Sequence, residues 1–412
     1  AGTGSVRAVL FSLDGEQLGC VQQEWTHKED PRYPGSMDFD WVHNWELARG
    51  CIRGVIEQTG VDPHDIAAVS TTCMREGIVL YDKDGREIWA CANVDARSDD
   101  EVAQLVHMNP ELEKQIYRES GQTYALGALP RLFWVKNKMP EVYEKTALCT
   151  MFNDWLIYKM TGVFSSEPSN ACTTGIFDLK ARDWDDKIAA SIGLKTGIFP
   201  KMYECGTVVA QVSAQGAEQT GLAEGTPVVA GGGDAQLGCV GVGVVDANQA
   251  AIFGGSFWQY EYNTDEAKTD EHCRVRVNCH SVPGIWQYEA LAFKPGMVMR
   301  WYRDAFCQYE KELSKTTGRD PYDLMNEKAK NIPAGCYGMM CAFSDVMNYI
   351  SWRHASPTFT NFDFDPEKFN RYTFYRAIME NTAMVTYGHM QLVRESTGNI
   401  PKEVVFASGA SK

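Results

Sequence analysis

The run Val228-Val229-Ala230-Gly231-Gly232-Gly233-Asp234-Ala235-Gln236 sets three glycines directly before a carboxylate. An apolar strand delivers the glycines, and glycines let a ligand approach the backbone closely. Asp234, just beyond them, can take the proton of an attacking hydroxyl, the task of a base in phosphoryl transfer. The plainer alternative is a helix N-cap, which Asp fills well; the triple glycine favours the chemical reading. Gly2-Thr3-Gly4-Ser5-Val6-Arg7 combines glycines and hydroxyls at a strand–turn–strand junction, where backbone N–H groups can face an anion. Arg7 adds a charge-assisted contact. Alone, this loop reads more readily as a tight turn than as a phosphate site. Ile252-Phe253-Gly254-Gly255-Ser256-Phe257 repeats the design, and two such loops are what a two-lobed nucleotide clamp needs.

Met74-Arg75-Glu76-Gly77 lies between two strand-like runs. Arg75 can donate to hydroxyl or carbonyl oxygens and Glu76 can accept from hydroxyls, a pairing suited to a polyol. By itself the segment reads more readily as a solvated charged loop. Asn93-Val94-Asp95-Ala96-Arg97 carries the same donor–acceptor logic in Asp95 and Arg97. Other constellations fail. Cys273 and Cys279 flank Arg-Val-Arg-Val, a strand pattern that sets them about 20 Å apart, too far to share one zinc. No Gly-x-Gly-x-x-Gly follows a strand, which disfavours a dinucleotide fold and a dehydrogenase. Gly409-Ala410-Ser411-Lys412 lacks the lead-in of a Walker A loop.

The elements that must position these residues follow from periodicity. Val6–Leu13 and Gln17–Trp25 read as strands about the turn Asp14-Gly15. Trp41, Trp45, Ala48, Ile52, Val55 and Ile56 recur at helical spacing, ended by Gly60. Ile66–Thr72 is a short strand; Gly77–Tyr81 and Arg86–Ala90 flank Asp84-Gly85 as a hairpin. Helices are expected near Ser98–His107, Pro130–Lys138, Gly296–Leu313 and Phe369–Thr397. Strands are expected at Thr226–Ala230, Ala250–Phe253 and Val404–Ala407. Antiparallel strands first, then alternating helix and strand, predict an α/β architecture with a mixed sheet in each half.

The 412 residues accommodate two domains, 1–243 and 244–412, with the cut where the second glycine-ended strand begins. A net charge of −15 without any Lys/Arg block disfavours nucleic acid or an anionic membrane as partner. No apolar run reaches the 18 residues of a membrane span. Thirteen cysteines, an odd number without a Cys-x-x-Cys pair, suit buried thiols in a reducing cytoplasm rather than a disulfide framework.

Taken together these segments resemble the FGGY carbohydrate kinases. The resemblance extends through Ile78-Val79-Leu80-Tyr81, Ala90-Cys91-Ala92, Pro168-Ser169-Asn170-Ala171, Met299-Arg300-Trp301-Tyr302-Arg303-Asp304 and Phe343-Ser344-Asp345. It implies a two-domain, ribonuclease-H-like and actin-like ATPase fold with a cleft between the lobes. It implies Asp234 as catalytic base and metal neighbour, with Arg75 and Glu76, joined by Asp95, Arg97 and Gln236, as substrate binders. It assigns Thr3, Gly4 and Arg7 to the first phosphate loop and Gly255 and Ser256 to the second. Gly296 and Arg300 match nucleotide contacts, and Gly409 and Ala410 match the start of the adenosine motif. ATP and Mg²⁺ are the implied cofactors; the residues leave the oligomeric state open, with a homodimer one assembly available to the chain.

The Met-Arg-Glu-Gly and Cys-Ala-Asn-Val-Asp-Ala-Arg stretches are narrower than the family. The resemblance in these stretches implies phosphorylation of the terminal hydroxyl of linear 4,5-dihydroxy-2,3-pentanedione, a quorum-sensing signal. A pentulose or glycerol kinase of the same family and a non-catalytic actin-like nucleotide binder are the rivals. The chain starts inside the first loop and stops where the adenosine motif begins. It is therefore expected to be a fragment that binds ATP poorly.

Overall fold

A computed structural model describes residues 1–125, 127–292, 294–351 and 357–411. The chain divides into two compact units. The first comprises Ala1–Val245, Asp265–Thr269 and Val277–Trp286; the second comprises Asp246–Thr264, Asp270–Arg276 and Gln287–Lys412. The single cut expected near residue 243 is therefore too simple, because two short segments beyond it belong to the first unit.

In the first unit the strands Ser5–Phe11 and Gln17–Glu24 pair antiparallel, with Gly15 at φ +87° in the turn. The helix Trp41–Thr59 lies close on this hairpin: a Cβ at Gly19 would sit 2.5 Å from Thr59 Cγ2. Asp40 caps the helix by accepting from the His43 N–H, and Gly60 ends it at φ +66°. A second sheet sets Pro227–Gly233 between Val69–Cys73, which runs parallel to it, and Val208–Gln211, which runs antiparallel. Its register pairs Gly233 with Cys73, so the two parallel strands end side by side. A third, antiparallel sheet places Ile78–Tyr81 between Glu87–Cys91 and Leu148–Met151.

Ile78–Tyr81 is buried on both faces, and its alternation divides the core in two. Ile78 and Leu80 pack with Trp89, Leu132 and Trp134. Val79 and Tyr81 pack with Phe39, Phe152 and Trp155. The strand expected from Ile66 starts only at Val69, because Asp62 caps a short turn over Pro63–Asp65.

In the second unit Ala250–Gly254 pairs antiparallel with Trp258–Thr264 and parallel with Val405–Ala407, giving a mixed sheet. The helices Pro295–Phe306, Pro321–Ala329 and Arg371–Thr397 meet in a core of Val298, Tyr302, Met325, Tyr375 and Ile378. The single helix expected over 296–313 breaks at Cys307, where ψ is +47°, and resumes as Gln308–Thr317. At the break Cys307 turns into that core and Glu310 is buried, accepting from Arg371 and the Tyr372 hydroxyl. All 13 cysteines are free thiols.

Candidate active site

The parallel register explains the first cluster. Cys73 and Gly233 end their strands together, so Arg75 and Asp234 emerge as neighbours from segments far apart in sequence. Arg75 Nε lies 3.4 Å from Asp234 Oδ1. The Arg75 side chain is buried, whereas 56% of the Asp234 side chain is exposed, so the carboxylate faces outward over a held guanidinium. Asp234 opens the helix Asp234–Gly241, and its Oδ1 accepts from the Ala235 N–H at 2.9 Å. A carboxylate in a first helical turn is favoured by the axial dipole.

Each glycine before it has its own packing reason. A Cβ at Gly231 would lie 1.6 Å from the Thr71 carbonyl oxygen. At Gly232 it would meet the Ser281 and Ser169 hydroxyls at 2.7 and 2.8 Å. At Gly233 it would meet Gln236 Oε1 at 2.6 Å and Arg75 Cδ at 2.9 Å. Gln236 is fully buried and folds back beside that glycine.

Glu76 is held at φ +67°, a left-handed conformation that disfavours a side chain with a Cβ. The fully buried Arg131, from the helix Ala128–Lys138, donates to the Glu76 carbonyl. The same guanidinium donates to the carbonyls of Asn93 at 2.7 Å and Asp95 at 2.9 Å. One side chain thus ties both loops expected to carry substrate binders. Arg131 escaped the reading from sequence; the available signal was a lone cation inside Leu-Pro-Arg-Leu-Phe-Trp-Val.

Asp95 and Arg97, the other expected substrate binders, pair with each other. Arg97 Nε donates to Asp95 Oδ2 at 2.8 Å, and its Nη2 reaches Asp38 at 2.5 Å. Asp95 also accepts from the Met37 N–H at 2.6 Å. The Arg97 guanidinium lies over the rings of Trp89 and Trp134, with centroid distances of 5.2 and 4.9 Å. Both side chains are buried, and their hydrogen bonding is directed at each other and at the scaffold. These bonds hold the loop to Asp38 and Met37, and Arg97 lines a cavity with Asp38 and Trp89.

The first glycine loop has its carbonyls occupied from behind. Trp25 donates to the Gly2 carbonyl through Nε1 and to the Gly4 carbonyl through its backbone N–H. His27 Nε2 lies 2.8 Å from the Thr3 carbonyl and must carry the proton there. Burial holds His27 below the usual imidazole pKa, against that hydrogen bond, which fits a neutral ring. Asn93 Nδ2 donates to Thr3 Oγ1 at 3.0 Å, joining this loop to the loop that follows Cys91. Arg7 is exposed on the adjoining strand.

The second unit brings its own expected residues together. Gly296 sits in the first turn of the Pro295–Phe306 helix, where a Cβ would lie 1.9 Å from the Gly255 carbonyl oxygen and 3.2 Å from Ser256 Cα. A Cβ at Gly254 would meet Trp258 at 2.8 Å, Phe406 at 2.9 Å and Ala410 Cβ at 3.0 Å. The Gly255-Ser256 loop, the helix start and the Ser408–Ala410 segment therefore converge. Gly409 lies in the short turn Gly409–Ser411, and Arg300 stands exposed one helical turn beyond Gly296. Lys412 lies outside the described residues.

A carboxylate beside a guanidinium at paired strand ends, and a separate glycine cradle at a helix start, are groups that phosphoryl transfer to an alcohol can use. Residues 1–241 match the FGGY family of carbohydrate kinases, N-terminal domain, and the chain belongs to that family. It is 46% identical over 413 aligned residues to the autoinducer-2 kinases of Klebsiella pneumoniae and Escherichia coli K12, covering 100% of this chain and 78% of theirs. The xylulose kinase of Rhodospirillum rubrum shares its fold, with a TM-score of 0.85 at 22% identity, over 100% of this chain and 80% of that one. The Plasmodium falciparum glycerol kinase with ADP gives 0.84 at 17%, with the same coverage.

Proposed function

We propose that this protein transfers the γ-phosphoryl group of ATP to the terminal hydroxyl of linear 4,5-dihydroxy-2,3-pentanedione, the signal autoinducer-2, giving its 5-phosphate and ADP. The observation that carries the chemistry is the Arg75–Asp234 pair at 3.4 Å, held by the parallel strand register. The choice of substrate rests on the 46% identity to proteins named autoinducer-2 kinase.

In this reading Arg75 and Glu76 hold the diol oxygens, and Asp234 accepts the proton of the attacking hydroxyl. The new bond joins that oxygen to the γ-phosphorus while the bond to the β-phosphate oxygen breaks and ADP leaves. A Cβ at Gly296 would lie 1.9 Å from the Gly255 carbonyl oxygen, so the glycine lets the helix start pack directly on the Gly255-Ser256 loop, and this loop and helix start receive the nucleotide phosphates. The outward carboxylate of Asp234 suits Mg²⁺, which keeps several waters and binds through one or two carboxylates plus phosphate oxygens. When bound it neutralises phosphate charge, and the protein's contribution is positioning.

The test is ADP release by the full-length protein with Mg-ATP, offered the dione, glycerol, xylulose or ribulose, with Asp234→Ala as control. Preference for the dione, lost in the variant, is expected. Preference for a sugar overturns the substrate, and no alcohol-dependent ADP overturns the kinase reading.

A further inference from the structure

Beneath the glycine run lies a carboxylate that the reaction as proposed does not use. Glu167 is about as buried as a side chain can be, at 1% exposure. Its Oε1 accepts from the Asn170 N–H at 2.8 Å and Asn153 Nδ2 at 3.2 Å. Its Oε2 accepts from the Ser169 N–H and the Ser169 hydroxyl, both at 2.7 Å, and from the Cys205 thiol at 3.2 Å. Burial pushes the Glu167 pKa up, against the pull of these hydrogen bonds. The three N–H groups can only donate and the hydroxyl and thiol are placed to donate, a surrounding that favours the ionised carboxylate against the effect of burial.

The consequence falls on Ser169. Its single proton is directed at Glu167, which leaves its oxygen as a fixed acceptor. That oxygen takes the Gly233 N–H at 2.9 Å and the Ser281 hydroxyl at 3.4 Å. Gly233 is the N-cap residue through which the chain enters the helix that Asp234 opens. The contact is close enough that Gly232 can carry no Cβ, since one would lie 2.8 Å from the Ser169 oxygen.

We infer that Ser169, oriented by the Glu167 carboxylate, is a positioning residue that sets the peptide entering Asp234 and hence the aim of the base; this rests on the reading of Asp234 as that base. Misplacement of a reacting group by about 1 Å can lower a rate by about 100-fold, so losing this anchor acts on turnover without touching nucleotide binding.

The experiment compares Ser169→Ala, Ser169→Cys and Asp234→Ala in the full-length protein with Mg-ATP and the dione. Ser120→Ala, another fully buried serine, bonded only within its own helix and the turn after it, serves as the packing control. Ser169→Ala is expected to lower kcat by roughly 10- to 100-fold with the KM for ATP within about two-fold. Ser169→Cys, which keeps a weaker acceptor, is expected to fall between, and Ser120→Ala to match the parent. Hydrogen exchange in the peptide spanning Gly233 should speed up at least about ten-fold in Ser169→Ala, a readout independent of turnover. Parent-like kcat or parent-like exchange in Ser169→Ala overturns the inference. If Ser169→Ala does not fold, parent-like kcat in Ser169→Cys does so. Turnover retained by Asp234→Ala removes the base reading and this inference with it. Turnover lost in Asp234→Ala but kept in Ser169→Ala removes the inference alone.

Discussion

Replacing Arg131 by Met removes a side chain that ties the Glu76 loop to the Asn93–Asp95 loop. Three guanidinium hydrogen bonds disappear, to the carbonyls of Glu76, Asn93 and Asp95. Each buried carbonyl that loses a charged donor costs about 1–2 kcal/mol, or about 3–6 kcal/mol together. The Met variant also no longer buries a charge, and that returned desolvation offsets part of the loss. We take about 2–4 kcal/mol as the net destabilisation, because the Met stem keeps most of the packing that the Arg stem supplied. At about 2–4 °C per kcal/mol for a unit of this size, Tm should fall by roughly 4–16 °C.

The functional effect has a distinct signature. Glu76 at φ +67° is held in an unfavourable conformation, and cutting its tether lets the loop relax. The KM for the alcohol should rise at least about ten-fold, whereas the KM for ATP should stay within about two-fold, since the glycine cradle lies in the second unit. Arg131→Lys, able to reach one or two of the carbonyls, should fall between. Thermal unfolding together with a two-substrate kinetic matrix measures both quantities. A Met variant with the parent Tm and parent alcohol KM would refute the claim that this guanidinium holds the loops.

Asp234→Asn should lower kcat by at least about 1,000-fold with little change in Tm, because the side chain is more than half exposed; single-turnover phosphate transfer checks it. Gly296→Ala should raise the KM for ATP at least about ten-fold, since the added Cβ would lie 1.9 Å from the Gly255 carbonyl oxygen; nucleotide titration of the folded variant decides. His280 and His389 are buried, and burial lowers both pKa values to about 4. The unfolded chain then binds more protons than the folded one below about pH 6.5, so their contribution is present above that pH and lost as pH falls towards 4. At pH 5 the loss is roughly 2 kcal/mol per histidine, and Tm measured from pH 7.5 to 5 should show it. His389→Gln, which can still accept from the Met347 N–H, should flatten part of that fall.

What the chain determines locally was legible before any coordinates. Gly60 ends its helix and Gly15 and Gly85 turn their hairpins, each at positive φ, because a left-handed turn favours a residue without a Cβ. The strand-to-glycine junctions at 227–234 and 250–256 were readable for the same reason, since apolar runs and glycine punctuation are written in consecutive residues. Residue type alone could not say whether a charged side chain faces solvent, a ligand or another side chain. Asp95 and Arg97 offered the same donor–acceptor pattern as Arg75 and Glu76, yet folding directs the first pair at each other and at Asp38. The break at Cys307 follows from a burial requirement met by Arg371 and Tyr372, more than 60 residues away, which helical periodicity cannot register. Arg131 acquires its role only when three carbonyls from two loops converge on it, and Ser169 only when the parallel register brings Gly233 against its hydroxyl. Backbone conformation is set by neighbours along the chain, whereas the partner of a buried polar group is chosen by whichever distant segment the fold delivers to it.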